Sequence, residues 1–245
     1  MITASIVLFN NDIEILRKTI DSFLKIQHQK KLYLIDNSKT NVLKDIYVND
    51  DVEYIFVGKN IGFGSAHNLI LNKINSKFHL ILNPDVEFSV NVIPDLILEL
   101  ENKPDVSFIS PKVIYPNKEL QHICRRHPSF FDLINRRLNI FKIQVFKNEY
   151  RNKNLEQPFY PDFIHGCFML FKTKDLQNLK GFDERYFLYM EDADICRKID
   201  KLGKKKLYFP KVKIIHQHQK GSSKHLKLFF YHLSSAIKYF LKWGF

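Results

Sequence analysis

Five short runs of apolar, largely β-branched residues recur within the first 110 positions, at 2–9, 31–35, 52–57, 78–82 and 106–110. Between them lie stretches of helical period. Residues 12–26 repeat Ile13, Leu16, Ile20, Phe23 and Leu24, with Asn11 or Asp12 placed to cap them, and 66–74 and 92–101 also read as helices. Strands apolar on both faces and separated by helices belong to a sheet covered on both sides, so the spacing predicts an α/β fold with one doubly wound, mostly parallel sheet. Beyond residue 110 the pattern loosens. Residues 123–160 read as a long insertion or mobile segment. A buried strand is expected over 163–171, a helix over 186–202 ending at Gly203, a strand over 212–215 and a closing helix over 226–243.

In sheets of this kind the ligand sits beyond the carboxyl ends of the strands. Those ends are polar here: Asn10-Asn11 after the first strand, Asp36-Asn37-Ser38 after the second, 58–64 (GKNIGFG) after the third, and Asn83-Pro84-Asp85 after the fourth. A carboxylate on a proline-stiffened turn can offer oxygen to a hard divalent cation whose shell a diphosphate completes. Read alone, Asn83-Pro84-Asp85 is equally a common turn. Asp36 can accept a hydrogen bond from the imide N–H of uracil or thymine, or cap a helix. The glycines of the 60–68 segment permit close backbone approach ahead of a helix N-terminus. It is neither GxGxxG nor a Walker loop, which counts against hydride transfer and P-loop chemistry. The 181–197 segment (GFDERYFLYMEDADICR) sets acids beside an aromatic run, where desolvation raises carboxylate pKa and suits a general base. The same acids also fit the first turn of a helix.

The composition bounds the partners. Formal net charge is +12, with basic clusters at Arg125, Arg126, Arg136, Arg137 and Lys142 and across 201–227, which suits phosphate-bearing substrates, anionic lipid or nucleic acid. The three cysteines, Cys124, Cys167 and Cys196, lack CxxC spacing, so neither a disulfide framework nor a zinc knuckle is indicated and a cytoplasmic setting is expected. No signal peptide and no apolar run of ~20 residues is evident.

Taken in order, SIVLFN, IDNS, KNIGFGSAHN, ILNPDV, HGCFML, GFDERYFLYMEDADIC and IIHQHQKGSS resemble family 2 glycosyltransferases of the GT-A fold, particularly the rhamnosyltransferase-like enzymes of capsule and O-antigen synthesis. The resemblance runs from Ile2 to about Trp243. It implies an inverting hexosyltransferase dependent on Mg²⁺ or Mn²⁺. The donor would be a dTDP- or UDP-sugar, with rhamnose the first expectation, and the acceptor a surface glycan or a polyprenyl-diphosphate-linked oligosaccharide. Asp36 looks like the base-recognising aspartate. Phe9, Asn10, Asn37, Asn60, Gly62, Phe63, Asn68 and Asn83 fall in the nucleotide pocket. Asp85 matches the metal-binding position of a DxD-type motif whose first position is Asn83 here, one anionic ligand fewer. Asp192 matches the catalytic base, with Glu191 beside it. His216 or His218 resembles the histidine that reaches the metal or the diphosphate. His165, Gly166, Asp183 and Tyr189 fall on the acceptor side. The implied organisation is a nucleotide-sugar-binding half over 1–110, an acceptor-binding and catalytic half over 111–222 and a C-terminal amphipathic helix over 223–245.

That last helix carries apolar residues at helical spacing with lysines between them, which suits an anionic membrane surface or packing against its own domain. A location at the inner face of the cell membrane is compatible with such a helix. The rival readings are a nucleic-acid binder using the basic, aromatic 125–137 stretch, and a sugar nucleotidyltransferase. The polar strand ends argue against the first, and Phe9-Asn10-Asn11-Asp12 is not the glycine-rich loop that the second uses. No nucleic-acid partner is expected.

Overall fold

The computed structural model describes residues 1–46, 49–132, 135, 141–217 and 226–244. The amino-terminal half alternates as the sequence predicts. The elements are β1 (Ile2–Leu8), α1 (Ile13–Leu24), β2 (Lys30–Asp36), β3 (Val52–Phe56), α2 (Phe63–Asn68), β4 (Phe78–Leu82), β5 (Val86–Phe88), α3 (Val92–Glu101) and β6 (Val106–Ile114). Then follow β7 (Cys124–Arg125), α4 (Lys142–Asn148), β8 (Phe163–Ile164), β9 (Phe168–Lys172), α5 (Thr173–Asn178), α6 (Glu191–Lys201), β10 (Lys205–His216) and α7 (Leu226–Trp243). One eight-stranded sheet runs β3-β2-β1-β4-β9-β6-β10-β5, and β7 and β8 form a separate antiparallel pair.

Pairing is parallel throughout except at β9, which lies antiparallel between β4 and β6, and at β5, antiparallel to β10. Six strands therefore end on one edge, where β9 and β5 begin. Central β4 is wholly buried and apolar but for His79, and α1 lays Leu16, Ile20 and Phe23 onto the same core. Asp12 caps α1 by accepting from the amides of Glu14 and Ile15.

Several elements differ from the sequence expectation, each for a local reason. The helix expected over 66–74 is α2 followed by a 3₁₀ turn at Leu71–Lys73; Ala66, Ile70 and Ile74 fill one pocket with Tyr33 and Ile35, which mimics helical period. The strand expected over 163–171 breaks at 165–167. The helix expected over 186–202 starts only at Glu191, because Tyr189 and Met190 both hold positive φ (68° and 69°). The strand expected over 212–215 is the second half of twelve-residue β10, whose register shifts between Phe209 and Lys213, around Pro210. Within 123–160, β7 and α4 are regular; Arg136 and Arg137 lie outside the described residues.

Under β1 runs a buried polar chain. Thr3 Oγ1 meets Ser76 Oγ (2.6 Å) and His79 Nδ1 (2.8 Å), while Ser5 Oγ meets His79 Nε2 (2.9 Å) and His67 Nδ1 (2.7 Å). Burial pushes His79 down to about 3, and burial together with His79 pushes His67 well below its ordinary value. The unfolded chain thus binds protons that the native one refuses once pH falls below about 6.5, and stability drops with acidification. His79 should cost about 2 kcal/mol between pH 7 and pH 5, and His67 acts in the same direction. Urea unfolding at the two pH values checks this, with a shallower dependence expected for His79→Gln.

Candidate active site

The rim where the strands end carries the candidate residues in three connected groups. At the β2 end, Asp36 is fully buried: Oδ1 accepts from the Ser38 amide (2.8 Å) and Oδ2 from the Tyr54 hydroxyl (2.5 Å). The Asn37 amide donates to Leu8 O of neighbouring β1, and the Asn10 amide, at positive φ, to Ser38 Oγ. Asn37 Nδ2 donates to Gly62 O (3.1 Å), and Asn60 Oδ1 accepts from the Gly62 amide (3.0 Å). The Asn37 Oδ1 atom, buried, has no protein partner. Phe9 projects from the end of β1, about half exposed.

This first group is locked to the acid-rich loop. Gly62 holds φ 92°, and a Cβ there would stand 2.3 Å from Phe187 O, so only glycine fits. The Phe63 amide donates to that same carbonyl (3.1 Å), and the Phe63 ring packs edge-on against Phe182 (5.8 Å). Asn68 spends its amide on the loop, accepting from the Phe182 amide (2.9 Å) and donating to Phe182 O (2.8 Å) and Glu184 Oε1 (3.1 Å).

The second group forms where β4, β5 and β10 meet. Antiparallel pairing of His216 with Val86 sets Asp85 beside the imidazole, with Nε2 3.3 Å from Asp85 Oδ1 and 3.4 Å from Asn83 Nδ2. Gln121 grips His216 twice, through its Nδ1 (2.9 Å) and its carbonyl (2.6 Å), which turns Nε2 toward Asp85. Burial acts to lower the His216 pKa, but the Cys167 sulfur and the Asp85 carboxylate outweigh it and push it up to about 10. Among the described residues no group of three His, Cys, Asp or Glu side chains gathers as a metal cage. One carboxylate and one imidazole with an amide alongside do fit a divalent cation whose remaining ligands are diphosphate oxygens and water. His218 lies outside the described residues.

The third group is reached from the second by one backbone bond, Asn83 amide to Cys167 O (2.9 Å). The adjacent Gly166 amide donates to Asp192 Oδ2 (3.1 Å), and a Cβ on Gly166 would stand 3.3 Å from Asp192 Cβ. Asp192 Oδ1 accepts from the Ala193 amide (2.9 Å), and His165 Nδ1 lies 3.8 Å from Oδ2. Burial raises the Asp192 carboxyl above its ordinary value, against the Gly166 and Ala193 amides and the Arg125 guanidinium. Burial, then Asp192, raises neighbouring Glu191 well above its own, and Glu191 Oε2 has no protein partner. Tyr189 and Met190, both at positive φ, place strained backbone immediately before this pair of acids.

Of the residues expected on the acceptor side, His165 and Gly166 flank Asp192, and Tyr189 stacks edge-on with His232 of α7 (5.1 Å). Asp183 faces two cations: Arg185 holds its carboxyl well below the ordinary range, despite burial, with Lys242 assisting at 2.8 Å. Gln121 and Tyr54 escaped sequence reasoning. Gln121 lies in a stretch without period, and Tyr54 reads as an ordinary strand residue.

The three groups follow one another along the edge where the parallel strands end. The sequence profile of glycosyl transferase family 2 matches residues 4–179, and the chain belongs to that family. It is 26% identical over 235 residues to rhamnosyltransferase WbbL of Escherichia coli (strain K12), covering 91% of this chain and 87% of that protein. It is 24% identical over 235 residues to the N-acetylglucosaminyl-diphospho-decaprenol L-rhamnosyltransferase of Mycobacterium tuberculosis (strain ATCC 25618 / H37Rv), covering 87% of this chain and 76% of that protein. Among solved structures, GalNAc-T7 with UDP, GalNAc and Mn²⁺ superposes at TM-score 0.70 and 18% identity, over 90% of this chain but only 43% of that one. Mannosyltransferase PcManGT from Pyrobaculum calidifontis, with GDP-Man and Mn²⁺, gives 0.63 and 15%, over 90% of this chain and 57% of that one. Among the described residues no helix is long and apolar enough to cross a membrane.

Proposed function

We propose that this chain transfers a sugar, rhamnose first among the candidates, from a dTDP- or UDP-sugar to a hydroxyl of a lipid-linked or surface glycan, with inversion at the anomeric carbon. The observation that carries the reading is Asp192, a partly buried carboxylate with raised pKa held by the Gly166 amide next to the strand end that bears Asn83 and Asp85. In this reading Asp192 takes the proton of the acceptor hydroxyl as its oxygen bonds to the anomeric carbon. The bond from that carbon to the diphosphate oxygen breaks, and the nucleoside diphosphate leaves. Asp85 and His216 would hold Mg²⁺ or Mn²⁺, which when bound neutralises charge on the diphosphate. Asp36, Asn37 and the Asn60–Gly62 turn would hold the base and ribose, with Phe9 as a stacking surface. The names of the two rhamnosyltransferases support the sugar, and the decaprenol-linked substrate in one of them supports a lipid-linked acceptor. A place at the inner face of the membrane follows from such an acceptor.

Thermal shift with nucleoside diphosphates tests the reading. Saturating dTDP or UDP with Mn²⁺ at ~100 times Kd should stabilise the protein by about 2.7 kcal/mol, and Asp85→Ala should lose the Mn²⁺-dependent part. Indifference to every nucleoside diphosphate would contradict it.

A further inference from the structure

Helix α7 has two apolar faces, and its own domain uses one of them. Ser235, Ala236, Tyr239 and Phe240 are buried, Ser235 donates to Leu188 O (2.9 Å), and Lys242 and Trp243 bind Asp194. The other side presents Leu226, Phe230, Leu233, Ile237 and Leu241, four or three residues apart, with Leu226 77% and Leu241 75% exposed. A second exposed apolar group adjoins this helix. Phe130 packs against Phe240 (5.9 Å), Phe131 against Phe141 (5.9 Å), and Asn135 pins Phe141 through both its backbone N–H and C=O. Phe130, Phe131, Phe141, Ile143 and Phe146 are all about half exposed or more. Solitary exposed hydrophobics are ordinary, whereas ten on two elements joined through Phe130 and Phe240 call for a cover.

The charge pattern selects the occupant. Neither α7 nor α4 carries an acidic side chain; Lys242 is held by Asp183 and Asp194, which leaves Lys227 and Lys238 on the first and Lys142 and Lys147 on the second, in a chain of net charge +12. A second copy would bring the same lysine-rich face and be repelled, whereas an anionic bilayer complements it. We infer that α7, with Phe130, Phe131 and α4, docks this protein on the surface of an anionic phospholipid membrane without crossing it. Docking there also sets the catalytic loop at the lipid boundary, since Phe187 stacks on Tyr231 (4.5 Å) and Tyr189 on His232 (5.1 Å), both of α7. The inference rests on the proposed function only for the lipid-linked acceptor that such a position would serve.

Cosedimentation with vesicles tests the docking without any donor or acceptor, so its failure and that of the sugar-transfer reading are separable. At low salt the full chain should pellet with phosphatidylcholine vesicles containing phosphatidylglycerol and stay in solution with phosphatidylcholine alone. Leu233→Ser with Ile237→Ser on α7, and separately Phe131→Ser with Ile143→Ser on the second element, should each weaken partition at least about tenfold at unchanged melting temperature. The proposal is overturned if the wild type stays in solution with the anionic vesicles, if either double variant binds like the wild type, or if the wild type is a dimer that these substitutions dissociate.

Discussion

Asp192→Asn should bind dTDP or UDP almost as the wild type does, while kcat falls by about 10²–10⁴-fold. The amide keeps the carboxylate's shape and an oxygen for the Ala193 or Gly166 N–H, so the start of α6 stays in place. What it lacks is a site for the acceptor proton. Burial and the nearby Glu191 make a neutral side chain at position 192 easy to accommodate, so melting temperature should hold or rise. Steady-state kinetics with an excess of donor, beside a binding titration, separates the two effects. Turnover close to that of the wild type would remove Asp192 from the role of base.

Asp194→Ala, two residues on, should instead cost about 3–5 kcal/mol of stability, because it leaves buried donors facing an empty site. The Asp194 carboxylate is fully buried and accepts from the Lys242 ammonium (2.7 and 2.9 Å), the Trp243 indole (2.7 Å) and the Tyr186 hydroxyl (3.1 Å). Those bonds fasten the last turn of α7 to α6, so its loss should also expose the C-terminal segment to proteolysis. Urea unfolding and limited trypsin digestion read both effects. A change below about 1 kcal/mol, in the range of an exposed ion pair, would show that the contact is peripheral. The contrast between neighbours is informative: in one acidic motif, Asp192 turns to the rim, while Asp194 joins the C-terminal helix to the core.

The parallel half of the sheet was legible because strands buried on both faces read as plain apolar runs, as in Phe78–Leu82. Their polar tips were legible for the complementary reason that a rim open to ligand is the one place where such strands end in Asp and Asn. What stayed hidden depends on pairings far apart in sequence. Nothing local announces that Phe168–Lys172 inserts antiparallel between β4 and β6, or that Val86–Phe88 pairs with β10 and so brings Asp85 to His216. Gln121 is invisible for the same reason, since its partner lies 95 residues away. The late start of α6 was missed because periodicity does not register the αL pair Tyr189–Met190. The amphipathic pattern of α7 was read correctly as apolar, yet its two faces emerge only once the domain has covered one of them.

Behind the proposed chemistry stands a single claim, that Asp36, Asp85 and Asp192 serve one nucleotide-sugar along a continuous rim. Crystals of Asp192→Asn grown with dTDP and Mn²⁺ test it most directly. The account predicts density for the base beside Asp36 and Asn37, with the diphosphate and Mn²⁺ at Asp85 and His216 and the open end of the diphosphate facing residue 192. A nucleotide bound on another face, or one whose diphosphate points away from residue 192, would contradict it.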